Sequence, residues 1–157
     1  MTATYDLIAS NVLSSTASSV VFSSIPSSYR DLVLVVRGAA DSNRTFVVRF
    51  NGDTNGNYRY VRMQGNGSSA STASNTNVTS LFEQSIDENP NQYIINIMDY
   101  SASKWKQIII RHERPTAATW QLMSRWDNTT AINEISMAPS GGTFNSGSTF
   151  YLYGIVS

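Results

Sequence analysis

An all-β fold is predicted for this chain: a single antiparallel β-sandwich of jelly-roll type spanning 1–157. Three observations predict it. The apolar segments are short, rich in β-branched and aromatic residues, and bounded by Ser, Asn, Gly or Pro, at the spacing of a sandwich. Several alternate with period two, which is the pleat of a half-buried strand. Two of them, LVLVV at 32–36 and FYLYGIV at 150–156, are apolar at successive positions, as in strands covered on both faces. A terminal segment of that kind belongs inside a sheet, as in a jelly roll.

In chain order, strands are expected at 5–13, 19–25, 31–39, 45–51, 57–64, 92–99, 105–113, 117–126, 131–138 and 149–156, about ten in all. In QIIIRHER, Ile108, Ile110 and His112 share one face while Gln107, Ile109, Arg111 and Glu113 share the other. In TWQLMSRW, Trp120, Leu122, Ser124 and Trp126 alternate with Thr119, Gln121, Met123 and Arg125, which places Trp120 and Trp126 in the core. Residues 68–77, SSASTASNTN, lack periodicity and large apolar side chains and read as an exposed loop or arm. Residues 79–90, TSLFEQSIDENP, have room for one short helix, with Thr79 or Ser80 as cap and Pro90 beyond its end.

Composition narrows the function. Charged residues are 14% of the chain, well under the roughly quarter usual for soluble domains. The polar surface is instead built from 24 Ser, 14 Thr and 14 Asn. A net charge of +0 argues against nucleic-acid binding, which needs a basic excess to meet phosphates. With no Cys and one His, neither thiol chemistry nor a transition-metal centre is expected, and no cofactor is predicted. The opening MTATYDLIAS has no basic residue and no long apolar run, so it does not read as a signal peptide. No apolar run approaches the ~18 residues of a membrane helix, and no membrane partner is expected.

FNGDTNGNY at 50–58 begins like a calcium loop, N-x-D-x-N-G from Asn51. The twelfth position, which should be a bidentate Glu, is Arg62, and strand-like sequence flanks the loop on both sides. A hairpin turn is therefore expected. Asp99, Glu113, Asp127 and Glu134 fall in or beside strands, but nothing in the sequence pairs any two of them as glycosidase carboxylates. No G-x-S-x-G elbow occurs. The chain is read as a non-enzyme.

Two residue sets remain as candidates for binding. Arg37, Arg49, Arg59, Arg62, Arg111 and Arg125 all lie in expected strands, and Arg outnumbers Lys nine to two. They either face water or form an interface to carboxylates of another chain, for which the planar guanidinium is well suited. Trp105, Trp120, Trp126, Tyr58, Tyr60, Tyr100, Tyr151 and Tyr153 either stack on sugars or fill the core. Trp105, at a strand start between Lys104 and Lys106, is the Trp expected to be partly exposed.

Four stretches also carry a family likeness: YDLIASNVLSSTASSVVFSSIPSSYRDLVLVVRG, FNGDTNGNY, TAAINEISMAPSGGTFNSGS and TFYLYGI. They resemble short virion proteins of tailed phages, which open and close with similar patterns; the stretch 64–125 has no counterpart. The resemblance implies a jelly-roll structural protein of the virion surface, made in the host cytoplasm and assembled as a homo-oligomer, with a trimer expected. Two roles follow from it. One is a capsid decoration (cement) protein that binds across subunits of the major capsid protein, using the Arg residues, Trp105 and the 68–77 arm. The other is a tail or fibre protein that binds host surface glycans.

Overall fold

The computed structural model describes residues 4–114 and 118–156. They form twelve strands: β1 (Tyr5–Val12), β2 (Val20–Phe22), β3 (Asp31–Gly38), β4 (Arg44–Phe50), β5 (Tyr58–Gly65), β6 (Ala70–Val78), β7 (Gln84–Ile86), β8 (Asn91–Met98), β9 (Lys106–Arg114), β10 (Ala118–Trp126), β11 (Ile135–Pro139) and β12 (Thr149–Ile155). Two antiparallel sheets result. The large one has the order β1-β12-β3-β8-β9-β10-β5-β6, the small one β2-β11-β4-β7.

The expected β-sandwich is present, and its connectivity is that of a jelly roll. The pairings are nested: β1 with β12, β2 with β11, β3 with β12 and β8, and β4 with β11 and β7. A long antiparallel ribbon folded over on itself gives this pattern, with successive strands alternating between the layers. Two hairpins, β5–β6 and β9–β10, are inserted into this frame, and both extend the large sheet beyond β8.

Side-chain alternation builds the core between the layers. From the large sheet come Leu32, Leu34 and Val36 of β3, Ile95 and Ile97 of β8, Ile108 and Ile110 of β9, and Phe150 and Leu152 of β12. Phe46, Val48 and Phe50 of β4 meet them from the small sheet with Ile135 and Met137 of β11, and all of these are fully buried. Phe46 packs on Tyr93 at 4.5 Å between centroids, and Phe50 meets Trp126 edge-on at 5.5 Å. Burial of this kind is worth roughly 1.5–3 kcal/mol per large side chain. Gly154 is required by packing: a Cβ there would lie 2.3 Å from the Tyr29 ring.

Several expectations need correction. Residues 68–77 are exposed but are not a loop, because most of them form edge strand β6, paired with β5 from Gly65↔Ala70 to Arg59↔Thr76. Apart from buried Val78 at its end and a 3.2 Å bond from Asn75 Nδ2 to Glu83 Oε2, backbone pairing holds this strand, so it lacks the apolar period that marks a strand in sequence. Residues 79–90 form no helix. Leu81, Phe82 and Ile86 are all buried, and β7 pairs with β4 through Arg44↔Ile86. The strand expected at 131–138 begins only at Ile135, and Val20–Phe22 is all of the 19–25 segment that is strand. The start of the 117–126 segment, residue 117, lies outside the described residues.

FNGDTNGNY is not a hairpin, because β4 and β5 belong to different sheets. Asn51 and Gly52 have φ of 51° and 65°, and Asp53 N–H bonds Phe50 O at 2.9 Å, so a tight turn opens the crossing. Asn51 Oδ1 then accepts from the N–H groups of Asn133 and Glu134, which straps residues 131–134 to the turn in place of a strand ladder.

Candidate functional site

The small sheet covers one face of the large sheet. Among the described residues, no layer covers the other face, and alternation gives that bare face an unusual surface. One register row crosses all eight strands: Leu7, Tyr153, Val33, Asn96, Ile109, Met123, Val61 and Ser74. Six of these eight side chains are apolar. Leu7, Val61 and Met123, with Met63 in the adjacent row, each keep at least half of their surface in water. Tyr5 and Val12 add to the same face at its β1 edge. Among the described residues, most of the large exposed hydrophobic side chains therefore stand on one side of one sheet. Scattered surface hydrophobics are ordinary, whereas larger apolar patches mark interaction surfaces. Here the exposed side chains stand in two groups, on β1 and on β10–β5, joined along the row by half-buried Tyr153 and Ile109, buried Val33 and polar Asn96.

LVLVV lies in an interior strand and its outward side chains are largely covered, Val33 being buried and Val35 half-buried, although among the described residues no third layer lies over them. Val33 and Val35 point outward, where Tyr153 and Tyr151 of β12 flank them. Neighbouring side chains of the same sheet supply their cover, not a third layer.

The six strand arginines do not form one patch. Arg37, Arg59, Arg111 and Arg125 project from the bare face. Arg49 lies in the small sheet, where its Nε–H donates to Thr79 O at 2.8 Å. Arg62 sits on the inward side of β5, opposite Leu122. Two of the four on the bare face are held by Asp127: Arg125 Nε donates to Oδ1 at 2.6 Å and Arg59 Nη2 donates to Oδ2. The Arg125 guanidinium also lies 4.3 Å from the centroid of the Trp105 ring, a cation–π contact. Trp105, 51% exposed, thus marks one end of the bare face. A hollow of about 160 Å³ lies there, lined by Met98, Asp99, Lys104, Trp105 and Gln107, with Lys104 paired to Asp99 at 2.6 Å.

Toward the other end, β8, β9, β10 and β5 form a groove of about 490 Å³. Met63, Gly65 and Ile94 provide its small and apolar lining, and Gln92, Arg111, Glu113, Thr119 and Gln121 its polar lining. None of those five polar side chains bonds another described residue.

Two polar clusters, one half-buried around Asp53 and one buried around His112, are structural. Asp53 Oδ1 accepts from the backbone N–H of Asn55 (2.9 Å) and its Nδ2 (3.1 Å). Oδ2 accepts from Asn57 Nδ2 and from the Trp126 indole N–H, both at 2.8 Å. These donors hold its pKa below the ordinary carboxylate value despite the cost of burial. A carboxylate already saturated by four protein donors has no lone pair directed at a cation. No cluster of three or more His, Asp or Glu side chains with metal-binding proximity occurs among the described residues.

His112 is stacked between Tyr93 (4.2 Å) and Trp120 (4.6 Å). Its Nε2 is 3.3 Å from Asn91 Oδ1, and Asn91 in turn donates to Asp87 Oδ1, whose carboxylate also pairs with Arg114. Burial and, secondarily, the Arg114 charge lower the His112 pKa to about 3, so the ring is neutral. It is 2% exposed and, with Gln64 and Trp120, also lines the large groove. Trp120 is only half-buried, with its indole N–H on Gln64 Oε1 at 2.8 Å, whereas Trp126 is fully buried.

The fold and this surface define a jelly-roll β-sandwich with one bare sheet face, crossed by an apolar row and flanked by arginines. The chain matches no family model, and no curated protein matches it.

Of the arginines and Trp105 expected as an interface, Arg111 and Trp105 are exposed and Arg125 is half-buried; the sequence reading missed the apolar row between them. The signal was present: Ile109, Met123, Val61 and Met63 all sit at the outward positions of alternating strands. Only the strand order shows that they line up in register and that nothing covers them.

Proposed function

We propose that this chain is a structural protein of a phage virion that docks through the bare face of its large sheet onto a protein surface, as a capsid decoration protein does. The observation that carries the docking is the apolar row from Leu7 to Val61 in a protein with few charges. The assignment to the virion rests on the sequence motifs at the two ends of the chain. The apolar row would form the centre of the contact, and Arg37, Arg111 and the Trp105–Arg125–Asp127 cluster would form its polar rim. A protein that binds only the assembled shell stabilises it by mass action. The test is quantitative mass spectrometry of purified particles, with binding of the Val61→Lys/Met123→Lys double variant to stripped particles. The proposal expects copy numbers that match the capsid lattice and loss of rebinding by the variant. A few copies confined to the tail would refute it.

A second reading, glycan binding by a tail or fibre protein, is favoured by half-exposed Trp105 and by the unengaged polar side chains of the large groove. An aromatic platform and a groove of amides and hydroxyls are what sugar recognition uses. It predicts glycan-array signals lost in Trp105→Ala or Gln121→Ala. A blank array with folded protein excludes it.

A further inference from the structure

Four strands end the two sheets, and three of those edges are blunted. β2 and β7 are only three residues long. β1 carries a register shift between Leu7 and Ala9, which breaks its line of backbone groups. The fourth edge, β6, is different. Its pairing with β5 runs without a shift from Ala70 to Thr76, and the shift that does occur falls beyond that run, where Asn77 has a φ of 58°. The run ASTASNT has no charge, no Pro and no large side chain. Proteins protect edges with Lys, Pro, bulges or short strands, and an unprotected flat edge is a template for another strand. The one side-chain bond to the backbone of this strand among the described residues is Asn75 Oδ1 accepting from Thr76 N–H, at the end of the run.

We propose that β6 is a self-association edge: two copies of this chain pair antiparallel, β6 against β6, about a two-fold axis through Ala73. The strand's own composition suits a second copy as its partner. Centred on Ala73, the regular run pairs Thr72 with Ser74 of the partner subunit and Ala70 with Thr76 of the partner subunit on the face shared with Val61 and Met63. On the opposite face Ser71 meets Asn75 of the partner subunit. Every cross-strand pair is small and uncharged, and the hydroxyl pairs are of a kind that contributes favourably across strands. Ala73 at the axis gives the closest approach without a clash. The contact is isologous and closes at two copies. It joins two large sheets into one of sixteen strands and sets two apolar faces side by side on the same side of the assembly. This inference is independent of the virion assignment, since the edge is exposed whatever the bare face binds.

The experiment is sedimentation equilibrium of the full chain up to about 100 μM, a range that suits a contact smaller than a standard interface. The expected mass is twice the 17.3 kDa of one chain. Two variants at exposed positions define the register. Thr72→Lys/Ser74→Lys sets like charges opposite each other across the axis and should weaken the dimer at least tenfold. Thr72→Lys/Ser74→Glu sets opposite charges in the same places and should keep it, with added salt sensitivity. Circular dichroism and thermal melting confirm that each variant folds. A wild-type monomer at the highest concentration, a trimer, or a dimer indifferent to both variants would overturn the proposal.

Discussion

The two faces of the large sheet are made by the same strands from alternate residues, yet they answer to different constraints. On the covered face, Ile95, Ile110 and Leu122 are fully buried, and the polar groups admitted there are partly paired: Ser124 Oγ and His112 Nδ1 have no partner among the described residues, whereas others are fully engaged. Lys106 is an example: its Nζ donates to the carbonyls of Ala102 and Lys104, both at 2.6 Å, and of Thr129 at 3.3 Å. On the bare face, Ile109 and Met123 occupy the intervening positions with water beside them. The first face is shaped by packing, the second by whatever the protein meets. A substitution on the covered face should therefore register in stability, and one on the bare face in binding.

The largest stability effect should come from Trp126→Ala, which removes a fully buried ring and one donor from Asp53. It should cost about 3–5 kcal/mol in urea unfolding. Acid should produce the next largest effect. The folded-state pKa of His112 is lowered to about 3, against roughly 6.5 in an unfolded chain. The unfolded chain then takes up a proton below about pH 6.5 that the folded protein refuses. The contribution of His112 is thus fully present above that pH and is lost at about 1.4 kcal/mol per pH unit as pH falls toward 3. Urea titrations from pH 7 to 4 should show this slope, and His112→Phe, which retains a stacked ring, should flatten it. A slope unchanged in that variant would show that other groups carry it.

Asp53→Asn should cost about 1–3 kcal/mol, because an amide presents one nitrogen where the loop offers only donors. The smallest stability effect should come from the bare face. Met63→Ser and Met123→Ser should each change unfolding free energy by less than about 0.5 kcal/mol, while lowering affinity for the docking partner. If either costs as much as Trp126→Ala, the bare face is not bare in solution.

Much of this architecture was legible in the sequence, and the gaps have specific causes. The period-two pattern of QIIIRHER and TWQLMSRW fixed β9 and β10 and their inward sets. The apolar ending FYLYGIV marked β12 as an interior strand. β6 escaped notice because an exposed edge strand of Ser, Thr, Ala and Asn buries almost nothing and leaves no apolar trace. The segment around Leu81 and Phe82 had room for a short helix because Thr79 or Ser80 could cap it and Pro90 lies beyond its end; burial of Leu81, Phe82 and Ile86, not local capping, decides its shape. The loop at Asn51 was recognisable as a turn, but a turn does not reveal whether the next strand returns to the same sheet. The scatter of the arginines has the same origin: face follows from register within a strand, whereas grouping follows from strand order.

The nested pairing also has a consequence for the order of folding. β11 lies between β2 and β4, and β12 between β1 and β3, so both sheets draw an interior strand from the last quarter of the chain. During synthesis the hairpins β5–β6, β8–β9 and β9–β10 can zip locally. The jelly-roll frame must wait, with β1 exposed, until β12 has been made. Such long-range closure is slow. Until then β1, with Tyr5, Leu7, Ile8 and Val12 among its eight residues, has no partner strand in the large sheet.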